Sequence, residues 1–331
     1  MRLRSGLPLG VNAAFFEEAK RVRRLEARLT ERLEDAGYDE VLLPILDYYE
    51  PYQELLGERL LRGNEADQLY RFVDRDGQLL ALRYDFTPML ARLAAPQIGS
   101  WTLPARLFYR GDVVRYQEPR PGRLRESAQL GAEILDAPAA ENEQEALELF
   151  TELLLGAMEE DRSVSKGKRV EIVLGVAGAL DELVGASADP KATVEALARR
   201  DRRVAELGGD QLLEVVQDGL PRDPKVLGEH AAAVEQLQRR RDALLGALGA
   251  DAESRRVRVH IDLAEFATFG SGGQEGEHPY YDGLMFRAYL AGAAQPVGNG
   301  GRYDGLFRAL QADVSATGFS LGLDQLLEAS S

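Results

Sequence analysis

The sequence contains no cysteine, which excludes disulfides and thiolate metal sites. Histidine is scarce too. His230, His260 and His278 are the only three and stand far apart, so no zinc site or other metal is expected. No run approaches the ~18 consecutive apolar residues that a membrane span needs. The opening Met1-Arg2-Leu3-Arg4-Ser5-Gly6-Leu7-Pro8 lacks the apolar core of a signal peptide. A soluble, cytoplasmic chain with no membrane association is the expectation. Positive charge is in deficit: 40 Lys+Arg against 55 Asp+Glu leave a net charge of −15. Such a surface repels polyphosphate at long range, which argues against general nucleic-acid binding but permits a local basic patch. What the chain does have is 45% hydrophobic content over 331 residues, enough for one large or two modest domains with a core.

Apolar spacing sets the elements. Phe16, Val22, Leu25, Leu29 and Leu33 recur at helical intervals between Phe15 and Ala36, and Gly37 supplies the stop. Val41 to Leu46 reads as a buried strand carrying Pro44. Leu69–Val73 and Leu79–Arg83 read as strands joined by the turn at Asp74–Gly77, followed by a helix from Pro88 to Ala95. Leu103–Tyr116 and Glu126–Leu135 are expected strands, and Glu141–Glu160 an amphipathic helix. Arg169–Leu174 is a further strand. From about Gly178 to Leu248 the pattern is almost wholly helical, broken at Asp189-Pro190, Gly208-Gly209 and Pro221–Pro224. Val257–Asp262, Tyr281–Tyr289 and Val314–Leu321 return to strand. The whole predicts an α+β fold with a mainly antiparallel sheet.

Two segments bring carboxylates to element ends. Asp85 and Thr87 sit where a strand gives way to a helix, a spacing that equally suits a helix cap. Gln129, Gly131 and Glu133 share one face of a strand, and the small Gly131 is expected to leave room for a ligand. Paired carboxylates in a pocket repel each other and are costly to desolvate, unless a cation such as an ammonium or imidazolium joins them. Tyr281 and Tyr303 lie in Pro279-Tyr280-Tyr281-Asp282-Gly283 and Gly300-Gly301-Arg302-Tyr303-Asp304-Gly305-Leu306. A tyrosine offers an imidazole a flat apolar face and a hydroxyl; two such aromatics in a sheet are also ordinary core residues.

The stretch from Arg115 to Glu133, with its four arginines and Pro121-Gly122 turn, resembles the second signature motif of class II aminoacyl-tRNA synthetases in its histidyl-tRNA synthetase form. The helix, Gly37, apolar strand and Pro44 resemble the first motif, which builds that fold's dimer interface. Leu82–Pro88, Pro279–Phe286 and Gly300–Leu306 resemble that enzyme's histidine-binding segments. The resemblance implies a class II synthetase-like sheet flanked by helices, over 1–174 and 251–331, with a helical insertion over 175–250 and no anticodon-binding domain. It implies that Asp85 and Thr87 receive the amino group of L-histidine, that Gln129 and Glu133 face it, and that Tyr281 and Tyr303 line its ring.

The departures fall on ATP chemistry. Gly276 stands where the family has an arginine before its double tyrosine, Gln117 where it has a glutamate, and Gln325 where an arginine clamps ATP. Removing one preorganised charge from a developing anion costs about 2.7–4 kcal/mol, so amino-acid activation is expected to be lost and no catalytic residue or cofactor is assigned. Arg115, Arg123 and Arg125 are left for an anion or an interface, or equally for a solvated loop. The pattern is similar to the regulatory subunits of short-form ATP phosphoribosyltransferase, paralogues of the synthetase. That resemblance implies partnership with a short catalytic subunit, a homodimer within a hetero-oligomer, feedback inhibition by L-histidine at the first step of histidine biosynthesis, and no role in tRNA binding. The alternative is a truncated, active histidine-activating enzyme.

Overall fold

Helix α1 (Phe16–Asp35) stops as its spacing predicts. Gly37 adopts φ +82°, and the amides of Gly37 and Tyr38 turn back to the carbonyls of Glu34 and Leu33. The computed structural model describes residues 6–53, 55, 68–117, 124–158, 169–249, 256–269, 280–291 and 295–329. Eleven strands are assigned among them: β1 (Asp39–Glu40), β2 (Leu46–Tyr48), β3 (Arg71–Val73), β4 (Leu79–Leu82), β5 (Ala105–Val114), β6 (Glu126–Leu135), β7 (Val170–Val176), β8 (Val257–Ile261), β9 (Leu284–Leu290), β10 (Gly298–Arg302) and β11 (Ala316–Gly322). Eight form one sheet in the order β1-β5-β6-β11-β10-β9-β7-β8, and β2-β4-β3 form a small second sheet. The large sheet is antiparallel except at its margins, where β1 pairs with β5 and β7 with β8 in parallel.

The alternation along the central strands separates two faces. On the back face, Leu130, Ala132 and Ile134 of β6 and Phe319 and Leu321 of β11 pack with Leu25, Leu29 and Leu33 of α1. Phe150 and Leu153 of α3 (Ala139–Met158) join them. Each of the leucine, isoleucine and phenylalanine side chains contributes about 1.5–3 kcal/mol of hydrophobic stabilisation. On the front face, α2 (Phe86–Ala94) sets Phe86, Leu90 and Ala91 against Tyr109, Val113, Leu135 and Tyr303.

Two strand expectations are corrected. The segment Val41–Leu46 is not a buried strand: residues 41–45 lie outside any strand and Leu42 is 80% exposed. β1 ends at Glu40, the carbonyls of Leu43 and Pro44 accept from Arg83 instead of a ladder, Pro44 has no N–H to offer one, and the chain resumes as β2 in the other sheet. Conversely, β10 is a central strand formed by Gly-Asn-Gly-Gly-Arg, a string of low strand propensity. Its glycines are required by packing, because a Cβ on Gly300 would overlap the Phe286 ring.

Between β7 and β8 run α4 (Asp181–Gly185), α5 (Pro190–Ala198), α6 (Val204–Gly208), α7 (Asp210–Asp218) and α8 (Ala231–Leu248). Leu197, Val204, Leu212, Val215, Leu237 and Leu244 from these helices extend the back-face core. Arg240 of α8 pairs with Glu143 of α3, with side-chain exposures of 11% and 8%. Arg302 also approaches Glu143, at 3.8 Å. The sheet continues into α9 (Asp304–Ala309) and α10 (Leu323–Ala329). Removing one partner of a buried pair strands the other charge, so Arg240→Ala should cost about 3 kcal/mol in chemical denaturation. The cost is held to that level because Arg302 remains beside Glu143. Arg199→Ala, at a surface pair, should leave the denaturation midpoint unchanged.

Candidate functional site

The front face of the central strands carries glycine where most sheets carry side chains. Strand register aligns Glu133 with Gly318 and Gly318 with Gly301, and aligns Gln129 with Gly111 and Gly322. These glycines are seats for neighbouring side chains. A Cβ on Gly318 would overlap the Glu133 carboxylate, one on Gly301 the Tyr281 ring, and one on Gly322 the Gln325 amide. Gly131 was expected to leave room for a ligand, and here the structure differs. Tyr109, its register partner on β5, lies across it, with ring atoms where a Cβ would point. Tyr109 is thus a site residue that the sequence reading missed. Its signal was the pairing with Gly131, which only register supplies.

Glu133 is the centre of this arrangement and is 1% exposed. Thr87 Oγ1 donates to its Oε1 at 2.8 Å, Tyr109 Oη to the same oxygen at 3.3 Å, and Tyr303 Oη to Oε2 at 2.5 Å. Burial pushes the Glu133 carboxyl up from 4.5 to about 8. The hydroxyls oppose that shift, while the Asp85 carboxylate adds to it. Burial likewise pushes the Tyr109 and Tyr303 hydroxyls well above their ordinary range.

Asp85 serves as a cap and as a site group together. Its Oδ1 accepts from the Thr87 amide at 3.1 Å at the start of α2, and its Oδ2 lies 3.6 Å from Arg115. Phe86 stacks on Tyr109 with centroids 4.2 Å apart. Arg83 lies over Phe86 at 3.9 Å and donates to the carbonyls of Asp112, Leu43 and Pro44, so one buried guanidinium ties these segments together beside the Glu133 cluster.

The aromatic wall comes from two loops pinned to each other. The Asp282 amide donates to the Arg302 carbonyl, and the Asp282 carboxylate accepts from the amides of Asp304 and Gly305 at 3.1 and 2.8 Å. Tyr280 thereby faces Tyr303 with centroids 6.2 Å apart, and Tyr281 packs against Tyr280 at 4.8 Å. Asn299 donates to Tyr281 Oη at 3.4 Å. The structure brings together Asp85, Thr87, Glu133 and Tyr303 by these contacts. Tyr281 joins through Tyr280, and Gln129 lies on the same strand face as Glu133.

The arginine motif is engaged locally. Arg115 donates to the Tyr84 carbonyl and lies over the Tyr84 ring at 4.7 Å. Arg125 donates to the Gln117 carbonyl and lies over Tyr116 at 4.8 Å. Arg123 and Gly276 lie outside the described residues. Gln325 Oε1 is buried with no hydrogen-bond partner among the described residues. Among those residues no His/Asp/Glu group is placed to hold a metal ion, and no helix is long and apolar enough to cross a membrane.

A family model described as histidyl-tRNA synthetase matches residues 10–326. A solved structure from Bacillus halodurans, described as an ATP phosphoribosyltransferase regulatory subunit/histidyl-tRNA synthetase, aligns with a TM-score of 0.74 at 23% identity. It covers 100% of this chain and 84% of that one, a likeness of fold. The mixed sheet flanked by helices is that of a class II aminoacyl-tRNA synthetase-like protein. An ATP phosphoribosyltransferase regulatory subunit of Moorella thermoacetica is 34% identical over 97% of this chain and 81% of its own length. The one of Symbiobacterium thermophilum is 32% identical, over 98% and 80%. The chain belongs to the histidyl-tRNA synthetase family and, within it, to the ATP phosphoribosyltransferase regulatory subunits.

Two consequences can be measured on the isolated chain. A carboxyl raised from 4.5 to about 8 holds a proton in the folded state that the unfolded chain has released. Its contribution to stability is complete at low pH and is lost as pH rises through that window, by up to about 1.4 kcal/mol per pH unit. Urea titrations of Glu133→Gln should lack this decline. Gly318→Ala forces a methyl group into the Glu133 carboxylate and should cost about 3 kcal/mol by the same measurement.

Proposed function

We propose that this chain is a non-catalytic subunit that regulates a short-form ATP phosphoribosyltransferase catalytic chain, at the first step of histidine biosynthesis. L-Histidine is the feedback ligand. The observation that carries this reading is the site itself, in which an acid ringed by hydroxyls stands beside a tyrosine wall. Asp85 and Thr87 serve the amino end, Gln129 and Glu133 make polar contacts, and Tyr281 and Tyr303 flank the ring. A ligand cation offsets the cost of holding Asp85 and Glu133 together. The engagement of Arg115 and Arg125 with tyrosine rings and backbone carbonyls supports their release from ATP chemistry. Gly276 and Gln325, where the synthetases carry arginine, support the loss of adenylation.

The same reading makes residues 175–250 an insertion into the synthetase-like frame, and makes the chain a homodimer inside a hetero-oligomer. The exposed apolar side chains Leu42, Ile45, Leu46 and Tyr48 around the first motif support a dimer face. Histidine controls the complex only through unequal affinity for its quaternary states.

Asp85→Asn tests the pocket, because asparagine keeps the helix cap while removing the charge. Losing a charge-assisted hydrogen bond of about 1.5–3 kcal/mol should weaken calorimetric histidine binding by roughly 10–100-fold. Inhibition of the mixed subunits should weaken in parallel, with assembly retained. Unchanged binding overturns the pocket assignment, and histidine-dependent ATP–pyrophosphate exchange by the chain alone overturns the regulatory reading.

A further inference from the structure

The groups facing Glu133 are known from each element packed on it. The start of α2 presents Asp85 and the Thr87 hydroxyl, β5 presents Tyr109, and the residue before α9 is Tyr303. β11 presents only Gly318. Tyr280 and Tyr281, ahead of β9, and Tyr38, after α1, feel its charge at longer range. No arginine, lysine or histidine pairs with Glu133 among the described residues, and Arg115 reaches Asp85 instead. Among the described residues, this fully buried carboxyl, with a second carboxylate nearby, meets no countercharge.

We propose that the ligand-free chain holds Glu133 as a neutral acid, and that a ligand ammonium binds by exchange, sending the Glu133 proton to solvent. The inference rests on the amino-acid-pocket reading above and adds its pH control. The balance is simple. The carboxyl O–H bond breaks, the proton leaves to water, and the resulting carboxylate pairs with an ammonium that was already charged in solution. No covalent bond forms to the ligand. The Thr87 hydroxyl is bonded to Glu133 at 2.8 Å, so a group received at Asp85 and Thr87 lies within reach of that carboxyl. A neutral acid must itself donate, which requires one of its hydroxyl neighbours to accept. Threonine and tyrosine hydroxyls do either. The position of the carboxyl at about 8 agrees with a protonated resting state near neutrality.

Exchange gives the ligand a pH dependence that a fixed carboxylate lacks. Affinity should rise with pH, approaching tenfold per pH unit well below 8 and levelling above it. Acidification then weakens feedback by the ligand.

The test uses the full chain and L-histidine. Calorimetry at about pH 7, in buffers of different ionisation enthalpy, counts protons released. Infrared difference spectra report whether the ligand-free chain carries a buried protonated carboxyl. We expect release approaching one proton per histidine, and a carboxylic-acid band that histidine removes and that Glu133→Gln lacks. The pH slope of affinity should be lost in that variant; any slope it keeps belongs to the imidazole. Histidine binding with no proton release and no such band overturns the exchange and leaves the pocket assignment standing. A carboxylic-acid band with no histidine binding overturns the pocket assignment and the exchange together.

Discussion

Burial of the Glu133 carboxyl is the constraint around which the front face is organised. A carboxyl can be taken out of water only with hydrogen bonds and space to receive it. Space comes from Gly318 on the adjacent strand, where any larger residue would collide with it. Hydrogen bonds come from Thr87, Tyr109 and Tyr303, on three different parts of the chain. Those hydroxyls must arrive together, which ties the start of α2, the middle of β5 and the turn into α9 to one point.

The supports beneath them follow from the same demand. Arg83 joins the Leu43–Pro44 segment to β5 and lies on Phe86, and Phe86 in turn stacks on Tyr109. Asp282 stitches the double-tyrosine loop to the loop that carries Tyr303. These locally satisfied contacts hold the hydroxyls in place around Glu133. Farther out, the buried Arg240–Glu143 pair locks the helical segment to α3, and Arg200 reaches Asp262 after β8 at 2.7 Å. The helices between β7 and β8 therefore share the core of the sheet that carries the site.

In the arginine-rich motif, Arg115 and Arg125 are engaged by tyrosine rings and backbone carbonyls. Guanidinium groups suited to phosphate are also suited to aromatic faces and carbonyl oxygens. Arg115 and Arg125 take those partners, while Glu133 at the same motif's far end gathers the hydroxyls of Thr87, Tyr109 and Tyr303 from elsewhere in the chain.

Much of the fold was legible from the order of the residues. Helix α1 with its glycine stop, the long β5–β6 pair and the helical run before β8 follow from apolar periodicity, which local geometry enforces. Asp85, Thr87, Glu133 and Tyr303 were legible as a set because their motifs were. Two things were not. Pro44 broke an apolar run that read as one strand, and β10 hid in glycines that disfavour strands locally but are demanded by Phe286 and its neighbours. The sequence by itself determined which residues could alternate, cap and carry charge, since those properties depend on near neighbours. Only the tertiary structure decided that Gly131 is covered by Tyr109 and that Gly318 seats Glu133. Both depend on the register between strands distant in sequence, and a one-residue slip would turn every one of these side chains to the other face.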